Sequence, residues 1–261
     1  MTTALRVENL SVSYGAGLAL QDVTFSADVG ERVAIVGPNG AGKSTLFRAL
    51  IGQLPPASGR ILFDANRSPA RIGYLPQRTQ ADLRFPVTVF DVVLMGRVRH
   101  TSWLRWPSAE DRRAAQRALE QVGMREYAGR QIGELSGGQQ QRVFIARALA
   151  QEAGILLMDE PFSGVDLPSQ EAILSILDGL RAQAITVLVS THDLNLAAER
   201  FDRLALLNRR LIAYGPAGEA ITRENLVKAY GGQAVWSGDG YALVMGDIAC
   251  CGAAQEHETK S

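Results

Sequence analysis

The chain has 261 residues, with 27 Lys plus Arg against 27 Asp plus Glu. That length suits one large domain or a core with a smaller insert, and the balanced charge argues against broad electrostatic binding to nucleic acid. No apolar run approaches the roughly 18 residues of a membrane span, residues 1–6 have no signal-peptide pattern, and the two cysteines, adjacent at Cys250 and Cys251, give no disulfide framework and suggest a reducing compartment.

Residues 5–14 alternate apolar and polar and read as a half-buried strand, and residues 23–27 repeat the pattern. Together they predict a small antiparallel sheet beside the core. Tyr14 ends the first strand before a glycine turn. The residue itself leaves two readings open: a strand-end aromatic on the core, or a ring stacked on a nucleotide base. Residues 32–36 form a short β-branched run, a buried strand. Gly37-Pro38-Asn39-Gly40-Ala41-Gly42-Lys43-Ser44-Thr45 follows, and residues 45–51 read as a helix. Strand, glycine loop and helix make a phosphate cradle of the pattern G-x-x-x-x-G-K-[ST]. The glycines let successive backbone N–H groups turn toward an anion, and the helix N-terminus adds partial positive charge. Lys43 has the reach for β- and γ-phosphates, and the Ser44 hydroxyl is placed to ligate Mg²⁺.

Residues 52–59 are a breaker cluster, 60–63 a strand, and 71–75 a strand ending at Pro76 and Gln77. A glutamine there can reach a metal or its water. From about residue 80 to about 150 strand signals fade, which predicts a mostly helical insert. Ser108 with Glu110 and Asp111 marks a helix start, and that helix stops at Gly123. His100, Trp103 and Trp106 read as packing or surface residues, and Arg112, Arg113 and Arg117 as a solvated face. Ser136-Gly137-Gly138-Gln139 opens a further helix, with Ser136 at the cap position, and is a second anion-binding helix end.

Residues 154–158 are an apolar run that ends in Asp159 and Glu160. Ligands of parallel sheets bind at the carboxyl ends of the strands. Asp159 is therefore placed to hold Mg²⁺, and Glu160 to orient an attacking water. A loop at 163–166, a helix from Pro168 through Leu180, and a buried strand at 185–191 follow, with His192 just past the strand. Residues 204–207 and 211–214 resemble a hairpin. The tail from about 231 is weakly patterned, with a strand at 242–245 and a mobile end expected.

With these motifs in this order, the chain resembles the ATP-binding subunits of ABC transporters over roughly residues 5–225. Residues 37–45 look like the family's Walker A and Gln77 like its Q-loop. Leu135-Ser136-Gly137-Gly138-Gln139 matches its signature, residues 155–160 look like its Walker B with catalytic glutamate, and His192 like its switch histidine. Tyr14 matches its adenine-stacking position. The loop Ser163-Gly164-Val165-Asp166 keeps the ends of the family's D-loop and changes its middle.

The resemblance implies an α/β fold: a P-loop, RecA-like parallel-sheet core with an N-terminal antiparallel β subdomain and an inserted α-helical subdomain. The ATPase domain is expected at 1–230, with its insert at about 80–150, and a partly flexible extension at 231–261. It implies ATP and Mg²⁺ as cofactors, with Ser44, Gln77 and Asp159 around the metal, and Glu160, His192 and Gln77 as catalytic residues. It also implies a head-to-tail homodimer in which Ser136, Gly137, Gly138, Gln139 and Asp166 serve the partner's nucleotide. The expected partners are integral membrane permease subunits and an extracytoplasmic solute-binding protein. The expected location is the cytoplasmic face of the membrane, as in bacterial importers. Residues 85–97, with Trp103, Leu104, Pro107 and Ser108, resemble the manganese, zinc and iron uptake branch. Importers of haem, cobalamin or siderophores are the alternative. A soluble family member acting on nucleic acid would need coiled-coil heptads, tandem domains or zinc inserts, which the sequence lacks. A P-loop kinase or GTPase would leave the 136–139 segment without a role. Cys250, Cys251 and His257 match no zinc spacing.

Overall fold

The computed structural model describes residues 2–15, 17–64, 72–77, 86–98, 106–231, 234–236 and 242–244. Its centre is a six-stranded sheet. In chain order its strands are β3 (Arg32–Val36), β5 (Ile72–Leu75), β6 (Ile155–Asp159), β7 (Thr186–Thr191), β8 (Arg203–Asn208) and β9 (Arg210–Gly215), and in space they run β5-β6-β7-β3-β8-β9. All pairs are parallel except β8 with β9, so the expected hairpin is present and closes one edge of the otherwise parallel core. Every residue of β6 and β7 is buried. That is why both read as continuous apolar runs: a strand covered on both faces has no polar side to show.

The two faces bury different layers. Val33, Ile35, Ile155, Leu157 and Leu188 point toward α1 (Lys43–Leu50) and an antiparallel sheet. That sheet is β2 (Gly17–Asp28), β1 (Thr3–Tyr14) and β4 (Ser58–Phe63), with β1 in the middle. The sequence pattern found only residues 23–27 of β2. The strand is longer because its first half pairs with β1 through several bulges, one of them at Asp22, whose φ of 51° breaks the alternation. Ala34, Val36, Leu156, Met158 and Val187 face the helices on the other side, including α5 (Leu167–Ala182).

The insert is helical, as expected, but broken: α2 (Val89–Leu94), a 3₁₀ turn at Met95–Arg97, α3 (Ala109–Gln121), two more 3₁₀ turns, and α4 (Gly137–Leu149). Ser108 and Asp111 form the capping box that starts α3, and Trp106 is 89% exposed, a surface residue. His100, Trp103 and Leu104 lie outside the described residues, as do Cys250, Cys251 and His257. Beyond β7 come α6 (Leu194–Arg200), α7 (Ala217–Ala220) and α8 (Arg223–Tyr230), none of which the apolar pattern had separated from its loops. The expected strand near 242 is β11 (Ala242–Val244), and it pairs with β10 (Ala234–Trp236). No helix among the described residues is long and apolar enough to cross a membrane.

One buried ion pair holds the insert together. Arg97 Nε donates to Asp111 Oδ1 at 2.9 Å, with both side chains 7% exposed. The other carboxylate oxygen accepts from Ser108 N at 2.9 Å and Ser108 Oγ at 2.7 Å. The Ser108 hydroxyl foremost, and then Arg97, hold the Asp111 carboxyl down from 3.8 to about 2 against the opposing effect of burial. A carboxylate with a depressed folded-state pKa stabilises fully above its unfolded value and loses that contribution as pH falls through its folded value. Urea unfolding of wild type and Asp111→Asn should therefore differ most above about pH 4, and the gap should narrow toward about pH 2. A gap that stays constant with pH would show that the carboxylate charge contributes nothing.

Candidate functional site

The parallel strands deliver their carboxyl ends to one edge. Ser190 on β7 lies between Asp159 of β6 and Ile35 of β3. Beyond that line stand Glu160, one residue on, and His192 and the loop that begins at Gly37, two residues on, with Gln77 two residues past β5. Four chain segments far apart in sequence thus converge because four parallel strands share a register.

The glycine loop is set by close approach. A Cβ on Gly37 would come within 2.0 Å of the Leu207 carbonyl oxygen, and one on Gly42 within 2.5 Å of Leu20 Cδ2. Gly40 and Gly42 take φ of 77° and 99°, where other residues are strained. Arg209 N–H donates to Ala41 O at 2.8 Å, so the β8–β9 turn braces the loop from behind. Helix α1 starts at Lys43, two residues before the sequence placed it, with Gly42 as its cap. Ser44 and Thr45 are half-buried in the first turn, while Asn39 and Gly40 are exposed on the rim beside half-buried Pro38.

Lys43 Nζ donates to Gly37 O at 2.7 Å and to Pro38 O at 3.2 Å, and lies 4.0 Å from Glu160 Oε1. Burial pushes its pKa below the ordinary lysine value, and the Glu160 and Asp159 carboxylates oppose that shift. A cation so placed is a point charge at the mouth of a ring of backbone dipoles, which suits the phosphate chain of a nucleotide.

The two acids are held differently. Asp159, 2% exposed, accepts from Ser190 Oγ at 2.5 Å. Glu160 takes φ of 50°, and its N–H donates to Ser190 O at 3.1 Å and Ser190 Oγ at 2.9 Å. Its carboxylate accepts from Gln77 Nε2 at 2.8 Å and Ser163 Oγ at 3.1 Å. A recess of about 80 Å³ lies beside it, lined by Glu160, Ser163, Thr191 and His192 among others. Ser190 is the functional position that sequence reasoning missed. The available signal was a serine at the end of a buried apolar run, where a hydroxyl needs a partner.

A second group lies at the N-termini of α4 and α5. Ser136 caps α4 in a reciprocal box with Gln139: Ser136 N–H donates to Gln139 Oε1 at 2.9 Å, and Gln139 N–H to Ser136 Oγ at 3.4 Å. Ser136 and Gly137 are exposed. Gly138 is buried, and a Cβ there would lie 1.9 Å from Ser169 Oγ. Asp166 caps α5 through Ser169 N–H at 3.1 Å, and the Ser169 hydroxyl foremost, then that N–H, lowers its pKa. The structure therefore joins Lys43, Glu160, Gln77 and Ser163 in one cluster, and Gly138, Asp166 and Ser169 in another. Tyr14 is 45% exposed at the end of β1, and its hydroxyl accepts from Arg48 at 3.4 Å, so its ring is not in the core.

The family model described as ABC transporter matches residues 20–163. The manganese transport system ATP-binding protein MntB of Halalkalibacterium halodurans is 47% identical over 235 residues, covering 89% of this chain and 94% of that protein. The zinc transport system ATP-binding protein TroB of Treponema pallidum is 47% identical over 233 residues, covering 88% of each. Among solved structures, an ABC transporter assigned to the metal-chelate type, in an inward-facing conformation, superposes with a TM-score of 0.80 at 36% identity, covering 88% of this chain and 89% of that one.

The contact beneath Gly138 yields a direct test. Gly138→Ala should lower thermal stability through overpacking, which costs about 1–3 kcal/mol, and Ser169→Gly in the same chain should restore most of it. A stability loss that the second substitution leaves unchanged would place the strain elsewhere.

Proposed function

The chain belongs to the ABC transporter family and is an ATP-hydrolysing nucleotide-binding subunit, and from that premise we propose that it energises uptake of a divalent metal ion, manganese or zinc or iron, through separate membrane subunits. The observation that carries the cargo class is the likeness, along almost nine tenths of the chain, to ATP-binding proteins of manganese and zinc transport systems. The metal-chelate type relative stands further off, at 36% identity, which keeps haem, cobalamin and siderophores as the alternative.

In this reading the backbone of residues 37–45 and the Lys43 ammonium hold the phosphates, and Tyr14, free of the core, stacks on the base. Ser44, Gln77 and Asp159 offer hydroxyl, amide and carboxylate oxygens, the hard donors that Mg²⁺ prefers. When bound, Mg²⁺ neutralises charge on the β- and γ-phosphates. The residues fit it: Asp159 is buried, fixed by Ser190, and close enough to Lys43 to be felt electrostatically. Glu160 orients water and takes its proton, and His192 faces the same recess.

The signature residues sit on a different helix end from the Lys43 cluster, with Ser136 exposed. Two chains packed head to tail would set Ser136, Gly137, Gly138, Gln139 and Asp166 of one against the nucleotide of the other. The docking face for the membrane subunit is a pair of adjoining recesses of about 350 and 290 Å³. They share Gln53, Tyr74, Arg147 and Gln151, and Met95 and Val98 stand exposed at the edge. The peripheral position on the cytoplasmic face and the extracytoplasmic solute receptor follow from the same reading.

Glu160→Gln should bind ATP as wild type does and hydrolyse it about 10²–10⁴ times more slowly, the usual range for a lost general base. It should also accumulate as an ATP-bound dimer on size exclusion; normal turnover would remove Glu160 from the role. Ser136→Arg should abolish turnover while leaving the nucleotide affinity of the single chain intact, and lost affinity would contradict service in trans. For cargo, ATPase activity is measured in vesicles carrying this chain, its co-purifying membrane subunits and their receptor, with Mn²⁺, Zn²⁺, Fe²⁺, haem or cobalamin. Stimulation by a receptor loaded with a simple metal ion is expected; stimulation by haem or cobalamin alone would install the alternative.

A further inference from the structure

Arg97 does more than close the insert. Its guanidinium Nη1 also donates to Ala150 O and to Glu152 Oε2, each at 2.8 Å. Ala150 caps the C-terminus of α4, where carbonyls lack intrahelical partners and the helix dipole favours a cation. The preceding residue presses on the same helix: a Cβ on Gly96 would lie 2.2 Å from Arg147 O in the last turn of α4. Thus the turn Met95–Arg97 is joined to one end of α4 by backbone contact at Gly96 and by a fork of hydrogen bonds at Arg97. The other end of α4 is Ser136, about 20 Å away at 1.5 Å per residue. Between α3 and the core lies a cleft of about 560 Å³, with Gln121 and Gln183 bonded across it at 3.0 Å.

We propose that Gly96 and Arg97 are positioning residues for coupling: they lock the turn that meets the membrane subunit to the C-terminus of α4, so that a displacement imposed on the turn moves Ser136 at the far end of the same helix. This rests on the docking reading above. It assigns the work to a joint that touches neither the phosphate loop nor Glu160. Rigid packing is what the role requires, because a lever with a soft joint absorbs displacement instead of passing it on. Arg97 suits the task as Lys would not: a planar fork meets Asp111, Ala150 and Glu152 together, while an ammonium is a single point.

The test uses the full chain, alone and in the reconstituted complex with its membrane subunits and metal-loaded receptor. Arg97→Lys and Gly96→Ala are compared with wild type for thermal midpoint, KM and kcat of the isolated chain, co-purification of the membrane subunits, and metal transported per ATP hydrolysed. The expected result is isolated-chain kcat and KM within about twofold of wild type and retained assembly. Receptor-stimulated turnover and metal moved per ATP should fall at least fivefold in both variants. Should both Arg97→Lys and Gly96→Ala fail to fold, Glu152→Gln decides by the same readouts, because it weakens the fork at its exposed prong and leaves Asp111 and the Gly96 contact in place. Wild-type stimulation and stoichiometry in an assembled variant complex would overturn the proposal. So would isolated and stimulated turnover falling in the same proportion with a lowered midpoint, which is a merely structural defect. A wild-type complex that no loaded receptor stimulates would defeat the transport reading itself, a different result from normal coupling in the variants.

Discussion

Ser190 donates its hydroxyl to Asp159 at 2.5 Å across the seam between β6 and β7, and its carbonyl and hydroxyl oxygens both take the N–H of Glu160. This small knot decides where two carboxylates stand. It exists only because β6 and β7 pair Asp159 with Ser190, and β7 and β3 pair Ser190 with Ile35. A slip of one residue would turn Asp159 to the opposite face of the sheet and leave Ser190 buried without a partner. The knot is also charge-assisted, and bonds to ionised groups contribute about 1.5–3 kcal/mol. That is enough to offset the backbone strain at Glu160, whose φ of 50° belongs to a class costing about 1–3 kcal/mol. The strain turns the Glu160 carboxylate out of the strand line and toward Gln77, Ser163 and Lys43.

The glycine loop obeys the same logic of close approach. Gly37 is glycine because the Leu207 carbonyl stands where a Cβ would be, and Arg209 N–H holds Ala41 O from the same side. The loop therefore rests on the end of β8, and Ala41 N–H turns back on it to Pro38 O at 3.1 Å. Lys43 completes the arrangement by bonding two of the loop's own carbonyls. Those bonds place the ammonium before any anion arrives, so little ordering cost remains for a phosphate to meet.

Much of this was legible in the chain. The phosphate loop, the apolar strand ending in Asp159 and Glu160, the Ser136 and Ser108 caps and the β8–β9 hairpin are all local signals, and each stands where the pattern put it. The family and its transport relatives agree with the resemblance those motifs carried. What stayed hidden depends on pairs distant in sequence. Ser190 gains meaning only from lying beside Asp159, 31 residues away. Arg97 sits in a run that resembled a family stretch, yet its partners come from two later segments, Asp111 in α3 and Ala150 with Glu152 at the end of α4. The bulges of β2 and the short helices after β7 escaped for a different reason: neither keeps one hydrophobic period long enough to register.

Gly138 shows why a motif reading and a packing reading must be separated. A glycine at the N-terminus of a helix suggests a backbone that must approach an anion closely. Here the same residue is buried against Ser169 of its own chain, within reach of the Asp166 cap, so intramolecular packing already demands glycine at that position. Ser136 and Gly137 differ, because both are exposed and, among the described residues, a Cβ on Gly137 would meet nothing within 4 Å. The exposed part of this segment is therefore Ser136 and Gly137, at the open end of α4. Gly138 fixes α4 on α5, which sets the angle at which those groups are presented and ties them to Asp166 on the neighbouring helix. Three consecutive residues thus divide between two environments: Gly138 answers to packing inside the chain, and Ser136 and Gly137 stand on its surface.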